Sequence, residues 1–424
     1  MTVSVAAPTR RLAARQGVSL STVYVASGVL WLVTRWLVLV HHGAWPWMNA
    51  FVVAAARGII VGDWNDAIRP QLPAVLGVPL VLLGASEQQV VAALYVVGSM
   101  VQFGAFVVLV RALFPERVTE QSLALLLFLV VPFNHSIHHY RDVPVVLASS
   151  AIFLLAAHWL VRAQRPLTVR DGLWVGGAML LGVWSRTEVL TFVGALLLMG
   201  ALVWRARALP LIGLYAGVGV VVVGALVAIN RVEGIDPAEA ARYQWHTFLD
   251  STPESWLSPE CRAAATENCR ERDGLTYFGP APAEVGVLPM VVAHPGTTLA
   301  KTLQSAWDNL WIVLGPNLST FPGIAPFLIG VLVLAPSARF ALRALPAASW
   351  MVALAALAET VLPPLSWAPP HPQYHLQVVL LVVVLLVPVL AALARQSRGR
   401  LVATGFFVVS AALSVFRYTR YPGY

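Results

Sequence analysis

Apolar residues run in long blocks along this chain, and the short stretches between them hold most of its charge. The blocks lie at about 21–41, 71–85, 90–110, 120–133, 144–161, 173–185, 189–204, 208–230, 321–335, 346–363, 377–394 and 401–416. Several approach the ~20 residues an α-helix needs to cross a bilayer. The first, 21–41, is too long for a signal-peptide core and no small-residue cleavage site follows it, so it reads as a retained helix. The block 71–85 stands apart: it is short, carries Pro73 and Pro79, and no Arg or Lys follows it before the next block. It reads as a juxtamembrane or re-entrant helix. The pattern predicts an all-α polytopic membrane protein with about 11 transmembrane helices.

Composition agrees. The hydrophobic fraction is 58% and the charged fraction 11% over 424 residues, against roughly 25% charged in a soluble chain. So few charges cannot cover a globular surface, and so much apolar area excludes a disordered chain. The net charge of +8 does not indicate a nucleic-acid partner, because the basic residues form small groups between apolar blocks. Such groups set orientation, facing the cytoplasm. They are Arg10/Arg11/Arg15, Arg111/Arg117, Arg162/Arg165/Arg170, Arg205/Arg207, Arg339/Arg343 and Arg395/Arg398/Arg400. Placing all of them inside requires that 71–85 does not cross. The N-terminus is then cytoplasmic and the C-terminus outside, in a multi-pass cell-membrane protein, bacterial plasma membrane being the expected setting.

Four regions follow: a cytoplasmic tail 1–20, a membrane module 21–230 with outer loops 42–89 and 134–143, a large outer loop 231–320, and C-terminal membrane helices 321–424. Nearly every His and most acids fall in or beside the outer loops, so the chemistry is expected on that face. His158 lies inside a block, where a hydrogen-bonded packing role is expected. Arg35 also lies inside a block, near its outer end; it either serves function or snorkels to the interface. Cys261 and Cys269 in the large outer loop are expected to form a local disulfide, since a metal site needs more ligands than two Cys. The segment from 294 to 315, with Trp307 and Trp311 four apart, reads as an amphipathic helix on the membrane surface.

Four outer segments could carry chemistry. GDWNDAIRP brings Asp63, Asp66 and Arg69 together: a carboxylate can deprotonate a hydroxyl and Arg can grip a phosphate. The second, NHSIHHYRDVP, offers His135, His138, His139 and Asp142 as ligands for a divalent cation, the one cofactor the residues leave open, while Arg141 and Asp142 can instead pair or position an acceptor. In SRTE, Arg186 and Glu188 form either a structural pair or an anion site facing a cavity. The last, PPLSWAPPHPQYHLQ, places Tyr374 and His375 where they can stack on a sugar or bond a phosphate. No nucleotide-binding signature is present, so a transferase of this build needs a donor that arrives in the membrane.

The order of these features resembles the GT-C superfamily of membrane glycosyltransferases that use polyprenyl-phosphate sugars, which includes protein mannosyltransferases and lipid A aminoarabinose transferases. The similarity rests on AAARGIIVG, IRPQLPAVLGVPL, VLLGASEQQ, LLGVWSRTEVL and HPQYHLQVVLLVVVLLVP. It implies a GT-C-like bundle with juxtamembrane helices in the first outer loop. It also implies transfer of a sugar, with inversion, from a polyprenyl-phosphate donor to an acceptor hydroxyl on a glycan, lipid or protein in cell-envelope assembly. Asp142 and Arg186 match family positions. The family's acid falls on Met48 and Asn49, and its late Arg on Gln373, which moves the expected base to Asp66 or Asp63 and leaves Arg69 and Arg186 as phosphate ligands. The alternatives are a catalytically silent GT-C-like protein that binds a lipid or partner, and a transporter, for which Glu359 near the outer end of its block is the one supporting acid.

Overall fold

The computed structural model describes residues 19–42, 46–62, 71–130, 143–162, 165–232, 251–264, 267–279, 287–314, 335–361 and 378–420, with single positions between 238 and 249 and at 331. Every regular element among them is a helix. The membrane module comprises α1 (Leu20–His42), α2 (Pro46–Val61), α3 (Gln71–Leu82), α4 (Glu87–Leu113), α5 (Val118–Val130), α6 (Val143–Arg162), α7 (Val169–Val183), α8 (Val189–Trp204) and α9 (Leu209–Val232). The large loop contributes α10 (Pro259–Ala264), α11 (Glu267–Phe278), α12 (Val287–Ala293) and α13 (Pro295–Leu314). The C-terminal part adds α14 (Pro336–Arg343), α15 (Ala347–Val361), α16 (Val378–Ala394) and α17 (Ser397–Arg420).

Four described stretches are long and apolar enough to cross a membrane: Leu20–Leu37, Glu87–Leu113, Val143–Arg162 and Val189–Ala228. A fifth counts if the pair Pro336–Arg343 and Ala347–Glu359, bent by 94°, is one span. The chain is therefore a membrane-type all-α protein. The block 71–85 becomes α3, whose 12 residues extend only about 18 Å, short of the ~30 Å hydrocarbon core. Val189–Ala228 is α8 and α9 joined by a 3-10 turn at Arg205–Ala208, where Arg205 has a φ of 51°. The chain reverses there: Trp204 stacks on Trp159 near the end of α6, and Tyr215 meets the same Trp159 edge-on.

Helix directions follow from the contacts. A Cβ at Gly98 of α4 would meet Val146, Gln102 donates to Ser149 at 2.6 Å, and Phe106 meets Phe153. Residue numbers rise together, so α4 and α6 run parallel. Trp31 donates to the Ser99 carbonyl and a Cβ at Gly28 would meet Phe103, which makes α1 antiparallel to α4. In α7 and α9, Gly172 faces Leu214 and Gly176 faces Val218, so these two are parallel. α6 is buried nearly all round, as a helix apolar on every face must be. Lipid supplies no hydrophobic drive between such helices, so small residues and interhelical hydrogen bonds hold them together; Ala148, Ser149, Ser150 and Ala151 of α6 fit this need.

These directions gather Arg111, Arg117, Arg162, Arg165, Arg170, Arg205, Arg207, Arg395, Arg398 and Arg400 at one end of the bundle. α14, with Arg339 and Arg343, joins them through a 2.7 Å bond from Gln396 to Ser337. Buried polar networks fasten this end. Asp171 accepts from His158 Nε2 at 3.0 Å, Arg162 Nε at 2.6 Å, and Thr168 N and Oγ1 at 2.6 and 2.7 Å. His158 also meets the Tyr215 hydroxyl at 3.1 Å, so it is a hydrogen-bonded packing residue. Arg395 pairs with buried Glu120 at 2.8 Å.

Arg35 departs from the snorkelling expectation. It is 1% exposed, and its guanidinium lies 3.6 Å over the Trp31 ring. The face of α1 that meets α4 and α5 carries it inward, while Val29, Val33, Trp36 and Val40 face out.

Candidate functional site

The end opposite the arginines holds the turn between α7 and α8. Gly182 makes this turn possible: a Cβ there would come within 2.8 Å of Ala151 and 2.9 Å of Val189. The Gly182 carbonyl accepts from Ser185 N at 3.0 Å and Arg186 N at 2.7 Å, and Arg186 O accepts from Val189 N at 3.3 Å. This tight winding turns Arg186 and Glu188 to the same side. Arg186 Nη2 donates to Glu188 Oε1 at 2.6 Å and Nε to the same oxygen at 3.2 Å. Both side chains are mostly buried, at 16% and 22% exposed.

α15 packs along α8 and brings Glu359 to this turn. Glu359 is 2% exposed, and both Glu188 and Arg186 act on it electrostatically. Its Oε2 has no hydrogen-bond partner among the described residues. Ser185, fully buried, and the Trp184 indole nitrogen share that condition. The turn and the helix beside it thus carry two glutamates, one guanidinium and two further orphaned polar groups in an apolar bundle, where ionisable side chains usually mark function.

The first outer loop is tied to this turn. Leu72 N, at the start of α3, donates to Trp184 O at 3.1 Å. α2 and α3 pack on each other and on the first turns of α4. Ser86 caps α4 in a reciprocal box with Gln89, and exposed Arg57 pairs with Glu87 at 3.2 Å. α6 begins at Val143 and α16 at Val378 at this same end. The described helix ends that flank these segments of the sequence therefore lie on one side of the bundle.

Of the residues proposed from sequence, Arg186 and Glu188 are brought together. Asp63, Asp66, Arg69, His135, His138, His139, Arg141, Asp142, Tyr374 and His375 lie outside the described residues. Glu359, noted from sequence only as a transporter-like acid, emerges as a partner of the SRTE turn. Ser185 and Trp184 carried no sequence signal beyond adjacency to Arg186.

The large loop forms a small core of its own from Trp245, Phe248, Leu249 and Phe278. Cys261 and Cys269 are disulfide-bonded. Asp273 lies within 4.8 Å of both sulfurs, but bonded sulfurs offer no thiolate for a metal. A backbone hydrogen bond from Ser258 holds the Asp273 carboxyl below its usual range, burial opposing. Lys301, the single lysine of the chain, points from α13 into this core. It is 1% exposed, donates to Ser251 Oγ at 2.5 Å and lies 3.9 Å over the Phe248 ring. Burial lowers its ammonium pKa to about 7. The other face of α13 exposes Leu299, Leu303 and Trp307 at four-residue spacing, so the helix is amphipathic with its polar side turned inward.

Comparison of the chain with family profiles, with curated proteins and with solved structures finds no match.

Proposed function

We propose that this chain is a GT-C-type membrane glycosyltransferase that moves a sugar from a polyprenyl-phosphate donor to an acceptor hydroxyl on the outer face of a bacterial plasma membrane. The observation that carries the reading is the buried Arg186–Glu188–Glu359 cluster on a turn to which the first-loop helix α3 is hydrogen-bonded. The sequence features that support it are the PPL-like and SRTE-like order together with the orientation signals. In this reading 11 spans surround the site, the arginine-rich end faces the cytoplasm, and the C-terminus lies outside.

The reaction asks little of the protein beyond charge placement. The acceptor oxygen bonds the anomeric carbon, the bond to the phosphate oxygen breaks, and polyprenyl phosphate leaves. Arg186 and Arg69 stabilise the phosphate as it gains charge. A carboxylate takes the acceptor's proton; Asp66 and Asp63 are the first-loop acids for that role. Asp142 positions the acceptor, or with His135, His138 and His139 holds a divalent cation. Arg141, Tyr374 and His375 complete the set of substrate contacts, and the acceptor is a glycan, lipid or protein of the cell envelope.

The absence of an acid at Met48 and Asn49 favours a second reading, a silent GT-C-like protein that binds the lipid without turnover. Both readings are tested with purified protein in lipid nanodiscs. Binding of polyprenyl phosphate, weakened in Arg186→Ala, is expected under either. Release of polyprenyl phosphate from a sugar-bearing donor in the presence of envelope acceptors is expected only of the enzyme, and Asp→Asn at the true base should slow it by about 10²–10⁴-fold. Failure of the wild-type protein to bind any polyprenyl phosphate would remove both.

A further inference from the structure

Three buried side-chain polar atoms without a hydrogen-bond partner among the described residues lie on or beside one turn: Trp184 Nε1 and Ser185 Oγ on it, and Glu359 Oε2 on the helix that packs next to it. Trp184 and Ser185 are consecutive on the turn between α7 and α8, and Glu359 reaches that turn from α15. Buried polar groups are ordinarily satisfied, and each exception calls for an explanation. Scattered orphans signal loose packing. Orphans gathered beside a buried ion pair signal groups held ready for a ligand.

We propose that Trp184, Ser185 and Glu359 form a hydroxyl-binding subsite for the sugar ring of the lipid-linked donor, an inference that rests on the glycosyltransferase reading. The donor–acceptor inventory selects the ligand class. The indole N–H only donates, while the serine hydroxyl and the buried carboxyl of Glu359 can each offer an oxygen as acceptor and an O–H as donor. Adjacent hydroxyls on a sugar ring, each able to donate and accept, complement this set. A phosphate fits less well: its oxygens only accept and would leave the acceptor capacity of Ser185 and Glu359 unmatched. A bare metal ion does not fit either, since an indole N–H cannot ligate it.

Charge at the turn divides the labour. Glu188 is engaged by Arg186 through two bonds to its Oε1, while Glu359 presents the buried acid oxygen that has no partner among the described residues. Arg186 follows Ser185 directly in the chain, so the fork that would meet the phosphate stands next to the groups that would meet the ring. That order, cation then hydroxyl-binding groups, matches a sugar phosphate read from its phosphate outward. Glu359 is thereby a specificity residue, one that neither composition nor motif spacing singles out.

The experiment measures equilibrium binding to the full chain in nanodiscs for bare polyprenyl phosphate and for a panel of polyprenyl-phosphate hexoses and pentoses. The wild type should bind at least one glycosylated lipid about tenfold or more tighter than the bare lipid, since two or three hydrogen bonds together are worth roughly that factor. Ser185→Ala and Glu359→Met should each shrink the ratio of glycosylated-lipid to bare-lipid affinity, and retained binding of the bare lipid shows that the variants are folded. Equal affinity of the wild type for all the lipids, or a preference that survives both substitutions, would overturn the subsite and leave the proposed function standing. If the wild type binds no polyprenyl phosphate at all, the subsite and the function fall together.

Discussion

Replacing Glu359 by Met should make the protein more stable. Glu359 is 2% exposed and its Oε2 lacks a partner, so the folded state carries the desolvation cost of that oxygen, about 1–3 kcal/mol. Met has a similar volume and fills irregular space well, so no large cavity follows. The neighbouring Arg186–Glu188 pair remains intact. The net expectation is a gain of about 1–3 kcal/mol, which corresponds to a rise in Tm of about 1–3 °C in a chain of this size. Thermal unfolding of detergent-solubilised protein, followed by tryptophan fluorescence, measures it directly. A Tm that falls by several degrees would mean that Glu359 is bonded into the fold. The argument for a ligand-directed acid would then fail at its first step.

The opposite end should behave in the opposite way. Asp171 accepts four hydrogen bonds, so Asp171→Ala orphans Arg162, His158 and Thr168 and should cost about 3–5 kcal/mol, read as a lowered Tm with lipid binding retained in the folded fraction. In the large loop, the Lys301 ammonium pKa falls from 10.5 to about 7 through burial. The unfolded chain therefore holds one more proton than the folded chain between those values, and stability rises with pH across that window. Lys301→Met should be favoured most at pH 7 and below, and its advantage over wild type should narrow by about 1.4 kcal/mol per pH unit up to about 10.5. A gap that does not change with pH would place Lys301 in water or in an ion pair.

Much of the helical layout could be read from the chain. The runs of apolar residues ended within a few positions of α1, α4, α6, α8, α9 and α16, because a bilayer span is a local requirement on composition and length. The shortness of α3 was visible in the same way. The Arg clusters among the described residues lie at one end of the bundle because charge between spans follows from the order of the spans alone. The span count of 11 was read more finely than the four described long apolar stretches support, since helices of 13 to 17 residues such as α5 and α16 satisfy no length criterion by themselves. Their place in the bundle depends on their neighbours.

The candidate site divides along the same line. Arg186 and Glu188 stand two residues apart in a polar break between apolar runs, so local sequence sufficed to pair them. Glu359 is 171 positions after Glu188, and nothing in its own apolar block shows which helix it will face. Only the packing of α15 on α8 set it beside the turn. Arg35 is similar: its sequence position near a helix end suited an exposed side chain, and only the contacts of α1 with α4 and α5 turned it inward. Helix rotation about its own axis is fixed by tertiary packing, and in a chain whose helices are apolar on every face the sequence carries little signal for it. The sequence by itself determined which segments are helices and which end gathers the positive charge; the tertiary structure alone decided which buried polar groups meet.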